Sequence, residues 1–299
     1  MPDLTLDAPR ADADADALAD LIEALWTPKL DPLFWRPARV GIDSAWTAHV
    51  PFAHWLVATA RPRLIVELGT HNGVSYSAFC EAVLREKLEA RCYAVDTWQG
   101  DAHAGFYGEE VLGTLRRFHD ARYAGFSELL RCTFDEALPY FADNSIDLLH
   151  IDGCHAYEQV RADFENWAPK LSRRAVVLFH DTNVRERGFG VWRLWAELAA
   201  RYPGFEFLHG YGLGVLAFGA AQCPEVAALA ALSGAHANAM RERCALLGER
   251  WVAELRERSI EHEVGRRQAA LDAAEAEKAG IRQALLDARA AHQSAAADA

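Results

Sequence analysis

The chain lacks any apolar run of membrane-spanning length, and no early basic-plus-apolar segment resembles a signal peptide. A cytoplasmic setting with no membrane span is the expectation. Basic residues are in deficit: 31 Lys and Arg against 43 Asp and Glu leave a formal net charge of -12. A nucleic-acid binder normally carries a basic face, so no nucleic-acid partner is expected. The six cysteines, Cys80, Cys92, Cys132, Cys154, Cys223 and Cys244, are scattered and show no paired zinc spacing. Most sit in apolar contexts and read as buried free thiols, which suits a reducing compartment. What the chain does have is length and apolar content. With 299 residues, about half of them hydrophobic, it can build one large domain and an appendage.

The organising stretch is Arg63-Leu64-Ile65-Val66-Glu67-Leu68-Gly69-Thr70-His71-Asn72-Gly73. Leu64–Val66 is short, β-branched and bounded by turn residues, which is a buried-strand pattern. Tyr76, Phe79, Cys80, Val83 and Leu84 then recur at helical steps. A strand feeding a helix through a glycine turn opens a nucleotide-binding βαβ unit. The turn reads Glu-x-Gly-x-x-x-Gly, so it meets neither the dinucleotide fingerprint nor the phosphate loop with its Lys-Ser/Thr. An acid at the strand end repels phosphate and suits a cationic, hydroxyl-rich ligand such as S-adenosyl-L-methionine (SAM). A tight turn in another α/β fold is the alternative.

Strands are expected at Cys92–Val95, Leu129–Cys132, Ile146–Ile151 and Ala175–Phe179, with Phe205–Leu208 and Leu213–Phe218 closing as a hairpin around His209-Gly210-Tyr211-Gly212. Helices are expected at Leu18–Trp26, Pro51–Ala60, after Gly108 through Phe118, Asp135–Phe141, over the Tyr157, Val160, Phe164, Trp167, Leu171 stripe, and at Phe189–Ala200, with Trp192 and Trp195 as core residues. The alternation implies an α/β fold, Rossmann-like, with a mostly parallel seven-stranded sheet and a terminal antiparallel hairpin. After about Cys223 the composition turns to Ala, Glu and Arg. Val264, Leu271 and Leu285 lie at multiples of seven, with Ala274, Ile281 and Ala288 as a second stripe. Arg267 and Lys278 interrupt it, and Gly265 and Gly280 weaken it. The pattern predicts a long helix forming a coiled coil that makes a homo-oligomer; a solvated Ala-rich helix or tail is the alternative. The expected division is a helical extension over 1–60, a catalytic domain over 61–222 and a helical segment over 223–299.

Several segments together resemble the class I SAM-dependent methyltransferases of the bacterial group associated with polysaccharide assembly. They are Ser44-Ala45-Trp46, Pro51-Phe52-Ala53, Val66 to Gly73, Tyr93-Ala94-Val95-Asp96-Thr97-Trp98, His150-Ile151-Asp152-Gly153 and Phe179-His180-Asp181-Thr182. The resemblance spans about residues 40 to 220 and leaves out the C-terminal helix. It implies O-methylation of a hydroxyl, a saccharide acceptor and glycan-assembly proteins as partners. The layout is also similar to metal-dependent catechol and sugar O-methyltransferases, which implies Mg2+ held by Asp152 and Asp181. Thr182 stands where an oxygen ligand would follow, so either His180 or Asn183 completes the site or there is no metal.

By position, Glu67 and Gly69 border the methionine part of SAM, and Thr70, His71, Gly73 and Asp152 are further cofactor-binding candidates. Asp96 accepts the ribose hydroxyls, with Thr97 and Trp98 beside it; a helix N-cap is the bland alternative. Thr133 and Phe134 follow the strand near which adenine lies, with Asp135 next. Asp152 and His155 are the catalytic candidates, the imidazole taking the acceptor proton because its ordinary pKa lies near neutrality. Cys154 beside His155 has no third orienting group, and adjacent side chains rarely face each other. Asp101, His103, Tyr107 and Glu109 lie in a loop long enough to act as a lid, and Trp98 and Tyr157 could wall the sulfonium. Two other readings stand beside this one: a non-catalytic SAM-binding coiled-coil scaffold, and a metal-dependent hydroxylase-like relative holding iron on the His/Asp pair.

Overall fold

A computed structural model of the protein describes residues 28–101 and 105–297. The expected helix at Leu18–Trp26, and His103 of the lid loop, lie outside them. Pro28–Phe34 and Ala45–His49 are 3-10 turns, followed by α1 (Val50–Ala60), β1 (Leu64–Leu68), α2 (Val74–Arg85) and β2 (Arg91–Asp96). The lid loop holds a minimal hairpin, β3 (Gly100–Asp101) with β4 (Gly105–Phe106). Next come α3 (Glu109–Tyr123), β5 (Ser127–Arg131), α4 (Phe134–Ala137), β6 (Ile146–Ile151), α5 (Tyr157–Trp167), β7 (Leu171–His180) and α6 (Val191–Ala199). The edge strands β8 (Gly204–Phe207) and β9 (Leu213–Ala217) precede α7 (Pro224–Ala230) and the long α8 (Gly234–Ala297).

The main sheet has seven strands in the order β5-β2-β1-β6-β7-β9-β8. Pairing is parallel from β5 to β7, and antiparallel where β9 joins β7 and β8. This is the Rossmann-like arrangement expected, with the hairpin at the edge. β6 is buried at every position, as a parallel strand covered on both faces must be. One core packs α1, α2, α3 and α7 on one face through Phe52, Leu56, Tyr76, Phe79 and Leu115. The other packs α5 and α6 through Phe164, Trp167, Leu194 and Trp195. The chain order reverses between β1 and β6, so their carboxyl ends open a crevice, the position where such sheets bind ligands.

Three expectations are adjusted. β7 begins at Leu171 rather than Ala175, because a register shift at Ile146/Leu148 lets polar residues enter the strand and Ser172 Oγ donates to Asp147 Oδ1 at 2.6 Å. Trp192 is half-buried rather than core; its indole N–H donates to the Phe189 carbonyl and Arg185 covers its ring. The compositional shift at Cys223 does not end the first compact unit, which runs to Trp251. Ala237 and Cys244 of α8 share one core with Val226 and Leu229 of α7, and Trp251 is buried with Arg36 over its ring. A Cβ at Gly248 would come to 2.0 Å from the Ala48 carbonyl, so the glycine admits that close approach. From Val252 the chain forms a second unit, the rest of α8. All six cysteines are free thiols; Cys80, Cys92 and Cys244 are buried and the others half-buried.

Candidate functional site

The carboxyl ends of β1, β2, β5 and β6 enclose a cavity of about 370 Å³, within the range of small-molecule sites. Of the residues singled out from the sequence, Gly69, His71, Asp96, Thr97, Thr133, Phe134 and Asp152 line it and Glu67, Thr70, Gly73 and Trp98 do not; Tyr107, Gly153, His155, Gln159 and Asp163 line it too. Gly69 has φ +86°, and a Cβ there would meet the Asp152 carbonyl at 2.2 Å. The glycine is therefore required so that the β1 turn can lie against the β6 turn. Gly73, at φ +71°, caps α2, and a Cβ would strike Leu115.

Asp96 ends β2 and does more than face the cavity. Its Oδ2 accepts the backbone N–H groups of Thr70 and His71, each at 2.8 Å, and its Oδ1 accepts that of Trp98 at 2.7 Å. The carboxylate thus sets the glycine turn, and one acceptor site, on Oδ1, remains for a ligand hydroxyl. Trp98 is 1 % exposed and its indole N–H donates to the His71 carbonyl at 3.0 Å. It is a strut behind the loop rather than a cavity wall. Tyr157 is also engaged elsewhere: its hydroxyl donates to Glu197 and Arg193 lies over its ring. Tyr107 of the lid loop does reach the cavity and packs its ring on His71 at 4.7 Å. Thr133 lends its hydroxyl to a capping box with Glu136 at the start of α4.

Glu67 lies beneath the cavity, fully buried, with Oε2 2.8 Å from His150 Nδ1. The Trp46 indole N–H, which can only donate, points at His150 Nε2 at 3.1 Å. That fixes the His150 tautomer with its hydrogen on Nδ1, directed at Glu67. The acid of the glycine-turn motif therefore pairs across the sheet, at the register position Glu67↔His150. Burial pushes its carboxyl up, against the opposing effect of His150.

The second cluster follows β6 and β7. Asp152, His155 and Asp181 bring one ligand atom each within 4.8 Å of one another. His155 Nε2 lies 2.8 Å from Asp181 Oδ2 and 3.7 Å from Asp152 Oδ1, and its ring stacks on Phe189 at 4.4 Å. His180, expected as the third ligand, stands behind this group: its Nδ1 is 3.1 Å from Asp152 Oδ1 and its Nε2 is 3.0 Å from the Gly210 carbonyl. A carbonyl only accepts, so Nε2 carries a hydrogen, and a second hydrogen on Nδ1 satisfies the carboxylate. Both nitrogens are then committed, and His155 takes the place at the cluster that His180 was expected to fill. Asn183 turns its amide to the Leu208 carbonyl instead.

The electrostatics follow from this pairing. Burial pushes His155 down, but Asp152 and Asp181 outweigh it and raise the imidazole to about 10. His180 is likewise lowered by burial, yet raised to about 9 by the same two carboxylates. Burial pushes Asp152 up, and His180 with His155 outweighs it, holding the acid well below the carboxylate range. Two imidazolium and two carboxylate groups balance in charge. His155 is therefore a cation at neutral pH in this state, where a neutral base was expected. Two carboxylates with one imidazole also fit a divalent cation once His155 gives up its proton.

Residues 66–182 match the family model of a methyltransferase domain, Methyltransf_24. The chain is also 49% identical over 252 residues, or 84% of its length, to y4gI of Sinorhizobium fredii, described as an uncharacterized protein. It spans only 27% of that relative's length. Among solved structures, the SAH-bound methyltransferase PaMTH1 of Podospora anserina covers 71% of this chain and 98% of its own, at 15% identity and a TM-score of 0.44. The O-methyltransferase of Bacillus cereus in complex with SAH covers 67% and 96%, at 14% identity and a TM-score of 0.43. The O-methyltransferase TomG of Streptomyces achromogenes, in complex with SAM, covers 70% and 99%, at 16% identity and a TM-score of 0.42.

Site residues that sequence reading passed over are His150, Gln159 and Asp163. Asp163 alone left a local signal, an acid on the buried face of α5 beside Val160, Phe164 and Trp167.

Proposed function

We propose that the protein is a SAM-dependent O-methyltransferase that passes a methyl group to a hydroxyl of a saccharide in surface-polysaccharide assembly. The observation that carries this reading is the cluster of Asp152, His155 and Asp181, of which Asp152 and His155 line a cavity at the sheet's switch point. The methyltransferase-domain match over 66–182 supports it. The saccharide and the glycan-assembly partners rest on the family resemblance. Among the described residues no helix is long and apolar enough to cross a membrane.

The cavity fits the cofactor's parts. The Gly69–Gly73 turn presents backbone to the amino-acid end, Asp96 retains acceptor capacity for ribose, and Phe134 offers a ring to a base. When bound, SAM supplies an electrophilic methyl carbon for a single in-line displacement by the acceptor oxygen. The chain's part is alignment and proton removal. Nε2 of His155 would receive the acceptor proton only after the imidazolium has released its own to solvent, and Asp152 and Asp181, which both face that nitrogen, hold the ring in place while Phe189 stacks on it.

A divalent ion would be held by Asp152 and Asp181 and would lower the pKa of the acceptor hydroxyl as a Lewis acid. Carboxylates suit Mg2+, whereas an imidazole nitrogen suits iron or zinc better. Nε2 of His155 can serve as ligand or as base, but not both at once. The one-imidazole, two-carboxylate set also favours a second reading, an iron-holding hydroxylase-like relative. Incubating the protein with SAM and a panel of saccharides, while following SAH release and metal content, tests both. SAH formed only in the presence of a saccharide supports the first reading. Failure to bind SAM, with iron retained through purification, supports the second.

A further inference from the structure

The cofactor cavity occupies one half of the sheet's carboxyl edge, at the ends of β1, β2, β5 and β6. The other half is built by two connections, residues 181–190 after β7 and 208–212 between β8 and β9. His155 stands at the border: it lines the cavity, its Nε2 faces Asp181, and its ring stacks on Phe189. An acceptor placed opposite the cofactor for in-line attack therefore meets the 181–190 connection. That connection is tied down at both ends. Asn183 donates its backbone N–H to the Tyr211 carbonyl at 2.8 Å and its side-chain amide to the Leu208 carbonyl at 3.0 Å. Gly190 donates its N–H to the His155 carbonyl at 2.7 Å, and a Cβ there would come to 2.4 Å from Tyr157 Cβ.

What this held backbone presents is positive charge. Arg185 donates from Nη1 to the Thr182 carbonyl at 2.8 Å, one residue past Asp181, and its guanidinium lies 4.7 Å from the centre of the Trp192 ring. Both contacts orient the group and neither neutralises it, so most of its N–H donors stay unused. Arg187 is exposed two residues on. On the adjoining helices Arg161 and Arg193 face Glu165 and Glu197, whereas among the described residues no carboxylate pairs with Arg185 or Arg187. Asp181 and Asp152 are already matched by His155 and His180. Glu186 is exposed between the two arginines, so two cations against one acid leave a surplus of one positive charge, in a chain of net charge -12. A cationic surplus beside a reacting centre draws anions to it, and guanidinium groups match phosphate oxygens in geometry.

We propose that the acceptor saccharide carries a phosphate group and that Arg185 and Arg187 bind it, which makes them determinants of acceptor specificity. This rests on the O-methyltransferase reading given above. Two cations on one connection suit a group of charge near −2, roughly that of a phosphate monoester. A sugar 1-phosphate and a nucleoside diphosphate sugar share this chemistry, and a neutral glycoside lacks it.

The test follows SAH release by the full chain with SAM and with glucose, galactose and mannose, each as methyl glycoside, 1-phosphate and nucleoside diphosphate sugar. At least one phosphorylated form is expected to exceed its methyl glycoside in kcat/KM by about tenfold or more. Which phosphorylated form is better tells a monoester from a diphosphate. Arg185→Ala combined with Arg187→Ala should erase that advantage by raising KM, with SAH affinity unchanged. Arg173→Ala, an exposed arginine near the opposite end of β7, should keep it. A neutral glycoside used at least as well as its phosphorylated forms overturns the inference and leaves the methyltransferase reading intact. An advantage that survives the double substitution overturns it too. If none of these sugars turns over, calorimetric titration of the SAH-bound chain with inorganic pyrophosphate decides. Binding that the double variant loses supports the inference, and no binding, or binding that the variant keeps, overturns it. Failure to bind SAH removes the methyltransferase reading and takes the inference with it.

Discussion

His155 Nε2 and Asp181 Oδ2 stand 2.8 Å apart, joining the turn after β6 to the turn after β7. With its folded pKa raised to about 10 from 6.5, His155 contributes stability that is fully present below pH 6.5 and lost as pH rises through 10. The contribution is on the order of a few kcal/mol. NMR titration of the metal-free protein should find this imidazole protonated past pH 8. Asp181→Asn should move it down toward its ordinary value. A wild-type His155 that titrates near 6.5 would dissolve the ion pair and return the ring to a neutral base.

Asp96 combines two roles, and they separate experimentally. Asp96→Ala removes the acceptor for three backbone N–H groups, at Thr70, His71 and Trp98. It should cost about 2–4 kcal/mol in urea unfolding without any cofactor, and weaken SAM by a further 1.5–3 kcal/mol or so. Asp96→Asn, which keeps one oxygen acceptor, should lie between. A variant with wild-type stability and undiminished SAM affinity would remove Asp96 from both roles.

The pH dependence of stability at Asp163 runs opposite to the usual carboxylate. Its folded pKa, about 6, exceeds the model-peptide value of 3.8, so the folded state holds the proton more tightly. Stability from this group is therefore highest below pH 3.8 and declines as pH rises through 6. Two pKa units correspond to about 3 kcal/mol. Asp163→Asn should stabilise the cofactor-free protein at pH 8 by a sizeable part of that, and by much less at pH 4. Equal effects at the two pH values would mean that the carboxyl titrates normally.

The acids at the strand ends were legible in the sequence because an apolar run followed by a turn locates a strand's carboxyl edge without knowledge of the partners. Asp96, Asp152 and Asp181 each close such a run, and all three lie at that edge. What stayed hidden was pairing across the sheet. Glu67 and His150 are 83 positions apart and meet through β1–β6 register, which no local pattern encodes. Likewise position offered His180 or Asn183 as the third ligand and did not offer His155. The Gly210 carbonyl, brought in by the β8–β9 connection, settles which ring is occupied. Composition was equally silent on burial after Cys223: Ala237 and Cys244 belong to an Ala-rich helical stretch, yet they share a core with Val226 and Leu229 of α7.

The last prediction concerns residues from Val252 onward. Ile260, Val264, Leu271, Ile281 and Leu285 are each more than half exposed on α8. Val264, Leu271 and Leu285 repeat at multiples of seven, with Ala274, Ile281 and Ala288 as the companion stripe. A lone helix cannot bury such a stripe; a second copy of the same helix can, knobs into holes. Arg267 and Lys278 fall within the stripe, and a polar residue at such a position lowers stability while fixing register. The full chain is therefore expected to self-associate through this helix. A chain ended after Trp251 keeps Ala237, Cys244 and Trp251 in the core, and so should remain folded with fewer copies per particle; ending it at Ala220 would strip that packing. Leu271→Glu combined with Ile281→Glu should reproduce the smaller assembly in the full chain, with the melting of the first unit unchanged. Light scattering on the three proteins decides it. The same number of chains per particle in all of them would leave the helix a solvated arm.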